Sequence, residues 1–253
     1  MRFLTDTWIV FSRAMRLSVR NPIWVILGLI QPILYLSLFG PLLKPVAESP
    51  GFPPGDPWQV FVPGLLVQLG IFGAAFVGFG LVAEYRAGVV ERMRVTPASR
   101  LSLLLGRVMR DVIVLLVQGT ILIGAALIFG LRAPLASLIV GLAVVGALGA
   151  SFSALSYAAA LTLKSEDALA PLLNGLAVPT LLLSGILLPM SLAPRWLELV
   201  SDFNPIKHIV DGIRQIFLGE VFTGVVGWGV LLTAAMIAVG LAVGARTFQK
   251  ETS

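Results

Sequence analysis

Residues 83–100 read "AEYRAGVVERMRVTPASR". Seven of these eighteen residues are Glu, Arg or Thr, and long apolar runs flank the stretch on both sides. Charge that dense is too costly for the hydrocarbon of a bilayer. The flanking runs therefore read as membrane spans, and the stretch as a connection lying outside the lipid or on its surface. Composition extends the argument to the whole chain. Its 253 residues are 57% hydrophobic and 12% charged, about half the charge of an ordinary soluble domain. The mean hydropathy is +0.96. The apolar residues come in runs of about 20 or more, the length that a spanning helix needs. The expected fold class is an all-α integral membrane protein with a single membrane domain over residues 1–253.

Six spans are expected: Ile23–Leu43, Val60–Val82, Leu103–Gly130, Leu135–Leu163, Ala168–Met190 and Val221–Ala245. Positive charge sets the orientation. With both termini in the cytoplasm, the inner segments hold Arg2, Arg13, Arg16, Arg20, Arg86, Arg92, Arg94, Arg100, Arg107, Arg110, Lys164, Arg246 and Lys250. The outer segments hold only Lys44, Arg132, Arg195, Lys207 and Arg214. The opening stretch then faces the cytoplasm between spans two and three. The basic excess marks cytoplasmic segments rather than a nucleic-acid partner. The abundance of Ala, Gly, Leu, Val and Arg suits a GC-rich bacterial genome, and no signal peptide is evident.

Three segments outside the spans are patterned. In residues 1–21, Leu4, Trp8, Phe11, Met15 and Val19 recur at helical spacing, while Arg13, Arg16 and Arg20 cluster on another face. Such a helix lies flat at the interface, with its rings in the acyl boundary and its arginines at lipid phosphates. It either anchors the chain alone or also docks a cytoplasmic partner. In residues 83–100, Val82, Tyr85, Val89 and Met93 share a helical face, and Glu84, Arg86, Glu91, Arg92 and Arg94 point elsewhere. Thr96-Pro97 ends that helix, because the residue before proline is pushed out of the α region. A solvated loop is the plain alternative, but it needs neither both charge signs nor an ordered apolar stripe. In residues 191–220, a short helix around Pro194–Val200 carries Trp196. Asn204-Pro205 is a strong helix start, Ile206, Ile209, Val210, Ile213, Ile216 and Phe217 form an apolar stripe, and Gly219 is a stop. His208, Asp211 and Arg214 are expected on the polar side of that helix.

The middle of every span lacks ionisable residues. Arg107, Arg110 and Asp111 fall near the cytoplasmic end of span three, where they can reach the interface or pair. A proton-coupled carrier needs a group that binds and releases protons, and the deep interior offers none. Having no cysteine excludes disulfides and thiolate chemistry, and the one histidine, His208, excludes a multi-histidine metal site. No G-x-x-x-x-G-K-[ST] exists to cradle a nucleotide. No catalytic, cofactor or metal set is expected on the chain, so energy for any work must come from another subunit. Gln68, Asn174 and Pro179 are the polar or flexible positions that could line a translocation path.

With these residues in view, the chain resembles the permease subunit of ABC-2-type exporters. The stretch "EYRAGVVERMRVTPASRLSLLLGR" is similar to that family's E-x-x-x-G-x-x-E-x-x-x-x-x-P pattern, through Glu84, Gly88, Glu91 and Pro97, with Arg92 and Arg100 nearby. The segment "LLPMSLAPRWLELVSDFNPIKHIVDGIRQIFLGE" resembles the second family signature, through Pro189, Pro194, Trp196, Asn204, Pro205 and Arg214. Both look most like the daunorubicin-resistance-type drug-exporter permeases. The resemblance implies that residues 83–100 are a coupling helix seated in a separate ATP-binding subunit. Glu84, Arg86, Gly88, Glu91, Arg92, Arg94, Pro97 and Arg100 would form that contact, and the N-terminal helix a second one. It implies ATP and Mg²⁺ on two copies of that subunit, and a second permease chain. A homodimer is the simpler pairing and a heterodimer the other. It further implies a bacterial inner membrane and an amphipathic drug-like or lipid-like substrate moved outward. A polysaccharide or lipid-linked glycan is the alternative cargo, and a proton-driven drug carrier the alternative mechanism.

Overall fold

A computed structural model describes residues 2–48, 52, 55–90 and 99–251. Among the described residues every regular element is helical. The helices are α1 (Arg2–Arg20), α2 (Ile23–Ala47), α3 (Pro57–Ala75), α4 (Gly78–Arg86), α5 (Arg100–Ile128), α6 (Leu135–Leu163) and α7 (Glu166–Leu182). A 3₁₀ turn (Met190–Leu192), α8 (Arg195–Ser201), α9 (Pro205–Phe217) and α10 (Gly224–Glu251) complete the order. Five stretches are long and apolar enough to cross a membrane: Val25–Leu43, Pro57–Arg86, Arg100–Ile128, Leu135–Leu163 and Gly224–Lys250. The chain is a multi-pass membrane protein.

α3 and α6 form the centre, packed on one another and ringed by α2, α5, α9 and α10. Burial follows: Val62, Leu65, Leu66 and Val67 of α3 are fully enclosed. The outer helices keep one apolar face outward, as Ile26, Leu34 and Leu38 do on α2 and Trp228, Leu231 and Val239 on α10. In water such faces would be an aggregation hazard; in lipid they meet a solvent as apolar as themselves. α6 and α10 approach where Gly240 and Gly244 lie against Ser151 and Ala154. A Cβ on Gly240 would stand 2.7 Å from the Ser151 carbonyl oxygen.

The second span differs from the continuous helix expected over Val60–Val82. It is interrupted at Phe76–Val77, between α3 and α4. The interruption strands the carbonyl of Ala75 and the N–H of Gly78, which lipid cannot satisfy. Ser156 of α6 serves both, its hydroxyl donating to Ala75 O at 2.5 Å and accepting from Gly78 N at 2.9 Å. Gly78 permits this approach, since a Cβ there would stand 2.6 Å from the Ser156 carbonyl oxygen.

The fifth expected span, Ala168–Met190, is also corrected. Its helix runs Glu166–Leu182, 17 residues, about 25 Å at 1.5 Å per residue and short of a hydrocarbon core of about 30 Å. Residues 183–189 continue as turns and irregular chain. The final span starts at Gly224 rather than Val221.

Of the apolar face expected on α1, Leu4 and Val19 are exposed. Trp8 is exposed, Phe11 is buried with its ring centroid 5.2 Å from that of Trp8, and Met15 is half-buried. Arg13, Arg16 and Arg20 are exposed. α1 crosses α5 at Gly106, where a Cβ would stand 2.7 Å from Val10 Cβ and 2.8 Å from Thr7 O.

Candidate functional site

The helix ends gather into two polar clusters at opposite ends of the bundle. The first joins the ends of α4, α5, α6 and α7. Arg107 of α5 donates to Glu84 of α4 at 2.5 Å. Arg86, the last residue of α4, pairs with Glu166 at the start of α7 at 3.5 Å, both side chains about half exposed. Lys164 closes α6 with a left-handed backbone, φ 52°, and sets its ammonium 5.7 Å from the centroid of the Tyr85 ring, within cation–π range. Beneath them Tyr157 of α6 donates to Asp111 of α5 at 2.7 Å, and Arg110 stands 3.2 Å from the other oxygen of that carboxylate. Asp111 is 2% exposed. A carboxylate so enclosed stays only because cation and phenol meet it. The buried residues Leu81, Val90, Leu104, Leu161, Leu169 and Phe248 form one apolar cluster around the same place.

The turn after α4 completes this end. The carbonyl of Tyr85 accepts from Gly88 N at 3.0 Å, and Gly88 adopts φ +68°, a conformation that costs any residue with a Cβ. This explains why a glycine stands four residues after Glu84. The structure also corrects the expectation of one helix through Val82, Tyr85, Val89 and Met93: the chain turns at Ala87–Gly88 before helical geometry resumes at Val89 and Val90. Glu91, Arg92, Arg94 and Pro97 lie outside the described residues. Arg100 opens α5, behind a Ser99 cap that accepts from Ser102 N.

The second cluster lies around α9. Asn204 caps it, accepting from Ile206 N at 3.0 Å, and Pro205 takes the first helical position. The Asn204 amide donates to Thr180 O of α7 at 3.0 Å. The expectation that Arg214 faces outward from the polar side is overturned. It is 4% exposed and points into the protein, donating to Val60 O of α3 at 2.9 Å and to Gly185 O beyond α7 at 2.6 Å. Asp211 stands 3.4 Å from it. Burial pulls the guanidinium down to about 10, against the attraction of Asp211. Burial also raises the Asp211 carboxyl, opposed by Arg214. Desolvation thus outweighs pairing on both partners, and the backbone carbonyls supply what the ion pair does not. Asp202, in contrast, is held below its ordinary range by a hydrogen bond from Lys207 and by the charge of that lysine. His208 meets the Asp202 carbonyl oxygen at 2.9 Å. Pro194 precedes the first residue of α8, and Trp196 is exposed on it.

The sequence profile of the ABC-2 type transporter family matches residues 5–218. The chain belongs to that family. Its members are the permease subunits of ABC transporters, which work with a separate ATP-binding subunit. This permease is 27% identical over 217 residues to a protein named as a transport permease, ycf38, of Cyanophora paradoxa, covering 85% of this chain and 75% of that one. It is 30% identical to the ycf38 of Porphyra purpurea, with 78% and 69% covered. It is 24% identical to the daunorubicin resistance ABC transporter permease protein DrrB1 of Streptomyces coeruleorubidus, with 93% and 82% covered.

Within this ABC-2 permease the three path residues separate. Gln68 is 1% exposed in the centre of α3. Asn174 and Pro179 lie exposed on α7, and the Asn174 amide donates to Ala170 O of its own helix. Reading the sequence missed Ser156, Tyr157, Lys164 and Gly185 as site residues. Gly185, at φ +69°, follows Ser184 in an otherwise apolar run, and that pair was the available signal.

Proposed function

We propose that this permease is the membrane half of an ATP-driven exporter in a bacterial cytoplasmic membrane, and that its cationic end faces the cytoplasm. Residues 83–100 receive the movement of the ATP-binding subunit, on which ATP and Mg²⁺ sit. The observation that carries this reading is the convergence on α4. Glu84, Tyr85 and Arg86 are consecutive, and each ties α4 to a different neighbour: α5, the end of α6 and α7 respectively. A displacement applied just beyond Arg86 therefore reaches three spans at once. A loop obeying only the positive-inside rule would need none of these ties.

Two permease chains and two ATP-binding subunits form the working assembly. α7 supports the pairing of permeases, since its exposed face carries Leu172, Leu176, Val178 and Leu182 around the Asn174 amide. An amide turned to lipid is costly, and a second permease or the transported compound would meet it. α7 with residues 183–189 serves as the sixth crossing. Irregular backbone at membrane depth is tolerated where protein buries it, and Ser184 and Ile186 are fully buried. The apolar interior suits an amphipathic drug-like or lipid-like cargo, in keeping with the daunorubicin resistance for which DrrB1 is named.

A mild-detergent pull-down of the tagged chain, with partners identified by mass spectrometry, tests this reading. A stoichiometric partner bearing a Walker A motif, lost when Glu91→Arg and Arg92→Glu are combined, is the expected result. A preparation without an ATPase even after crosslinking, or full transport by the reversed variant, would overturn it.

A further inference from the structure

Among the described residues, the buried amide of Gln68 has no hydrogen-bond partner at either its oxygen or its nitrogen. The amides of Gln118, Gln59 and Asn204, in contrast, are engaged: Gln118 donates to Val25 O at 2.7 Å, Gln59 to Arg132 O and Asn204 to Thr180 O. A buried polar group left unmet destabilises the fold, and leucine would fill this position without that cost. A group kept at such a cost inside the most enclosed span calls for an occupant that the resting fold does not supply.

Its place on α3 indicates where that occupant sits. Val60, Gly64 and Gln68 are spaced by four residues and so share one helix face. At the first, Arg214 grips the Val60 carbonyl while also gripping Gly185 O. At the second, α3 meets backbone directly, since a Cβ on Gly64 would stand 2.2 Å from Ile186 O. The seam between α3 and the chain beyond α7 therefore joins carbonyls and bare glycine backbone beside the buried Ile186 side chain. Arg214 is the charged group that spans it. Gln68 lies one turn further in along the same face.

We propose that Gln68 is a hydrogen-bonding contact for the transported compound, and that Arg214 latches the outer gate above it. The proposal rests on the transport reading above. The compound it fits is neutral at the contact and carries a neighbouring donor and acceptor, such as an amide or a hydroxy-ketone, within an apolar frame. Release outward requires the guanidinium to leave Val60 O and Gly185 O.

The chain has no cysteine, so Gln68→Cys introduces its only thiol. Intact cells carrying the transporter are treated with a membrane-impermeant maleimide. Phe222→Cys, at a fully exposed residue near the start of α10, serves as the marker of sidedness. The Gln68→Cys thiol is expected to resist labelling, and adding Arg214→Gln is expected to speed it about tenfold or more, the order set by losing a charge-assisted hydrogen bond. Arg214→Lys, which keeps the charge but not the fork, should fall between and decides the matter if the glutamine variant does not insert. Equal labelling with and without the Arg214 substitutions, or free labelling of Gln68→Cys alone, overturns the latch. Labelling of Phe222→Cys only in broken cells shows instead that the orientation proposed above has failed.

The contact is tested with Gln68→Leu, using daunorubicin and a panel of amphipathic dyes as probes. Unfolding temperature should hold or rise while export falls about tenfold, as expected for losing a hydrogen bond made only to the cargo. Unchanged export, or a clear drop in unfolding temperature, overturns it. If the unsubstituted transporter exports none of the probes, the choice of cargo is wrong, while the labelling arm still judges the latch.

Discussion

Arg107 and Glu84 meet at 2.5 Å across the junction of α5 and α4, the arginine side chain 9% exposed and the glutamate 31%. The pair ties the segment that precedes the turn at Ala87–Gly88 to α5, one of two 29-residue helices of the bundle. Because the glutamate is about a third exposed, water screens it, and the contribution is nearer about 1–2 kcal/mol than the larger cost of breaking a fully buried pair. Glu84→Arg and Arg107→Glu should each lower the unfolding temperature and cut substrate-stimulated ATP turnover of the assembled transporter. Combining them should recover most of both. Failure of the double variant to recover either property would mean the pair is incidental.

Gly88 holds φ +68° at the turn behind that pair. Gly88→Ala puts a Cβ into the left-handed region at a cost of about 1–2 kcal/mol. The expected phenotype is a permease that inserts normally but couples poorly. Gly88→Asn, which tolerates this region better, should lose less. Identical ATP turnover in all three proteins would count against the turn as a constraint.

Ser156 satisfies two backbone groups at once. Ser156→Ala should strand Ala75 O and Gly78 N and destabilise the fold by about 1–3 kcal/mol for each group left unmet. Thermal unfolding in detergent would show it. A change under about half a kcal/mol, no more than an ordinary surface substitution, would mean that the break is satisfied elsewhere.

Asn174 faces outward from α7. In this cysteine-free chain, Asn174→Cys should form an intermolecular crosslink in native membranes if two permeases meet on α7. The control Val230→Cys, on the exposed face of α10, should not. Crosslinking at Val230→Cys with none at Asn174→Cys would move the dimer interface to α10.

Much of this architecture is legible in the sequence, for identifiable reasons. Apolar runs locate the spans because lipid leaves so few alternatives, and Asn204-Pro205 marks the start of α9 because capping is a local matter. What escapes is chemistry between side chains and distant backbone. Arg214 sits on an amphipathic helix and reads as a surface arginine, yet beyond Asp211 its partners are the carbonyls of Val60 and Gly185, and a carbonyl has no residue identity to read. The break at Phe76–Val77 carries no proline, and only Ser156, nearly 80 residues away, accounts for it. The end of α7 at Leu182 is hidden because "LLLSGILLPM" stays apolar after the helix stops.

The interruption between α3 and α4 also changes what a push can do. An unbroken helix of 30 residues, the length of Pro57–Arg86, would act as a strut and shift its far end by as much as its near end. Divided and pinned at Ser156, it would act as a crank under such a push. The short arm from Gly78 to Arg86 would swing about α6, and motion would reach the long arm as rotation at the pivot more than as sliding along the membrane normal.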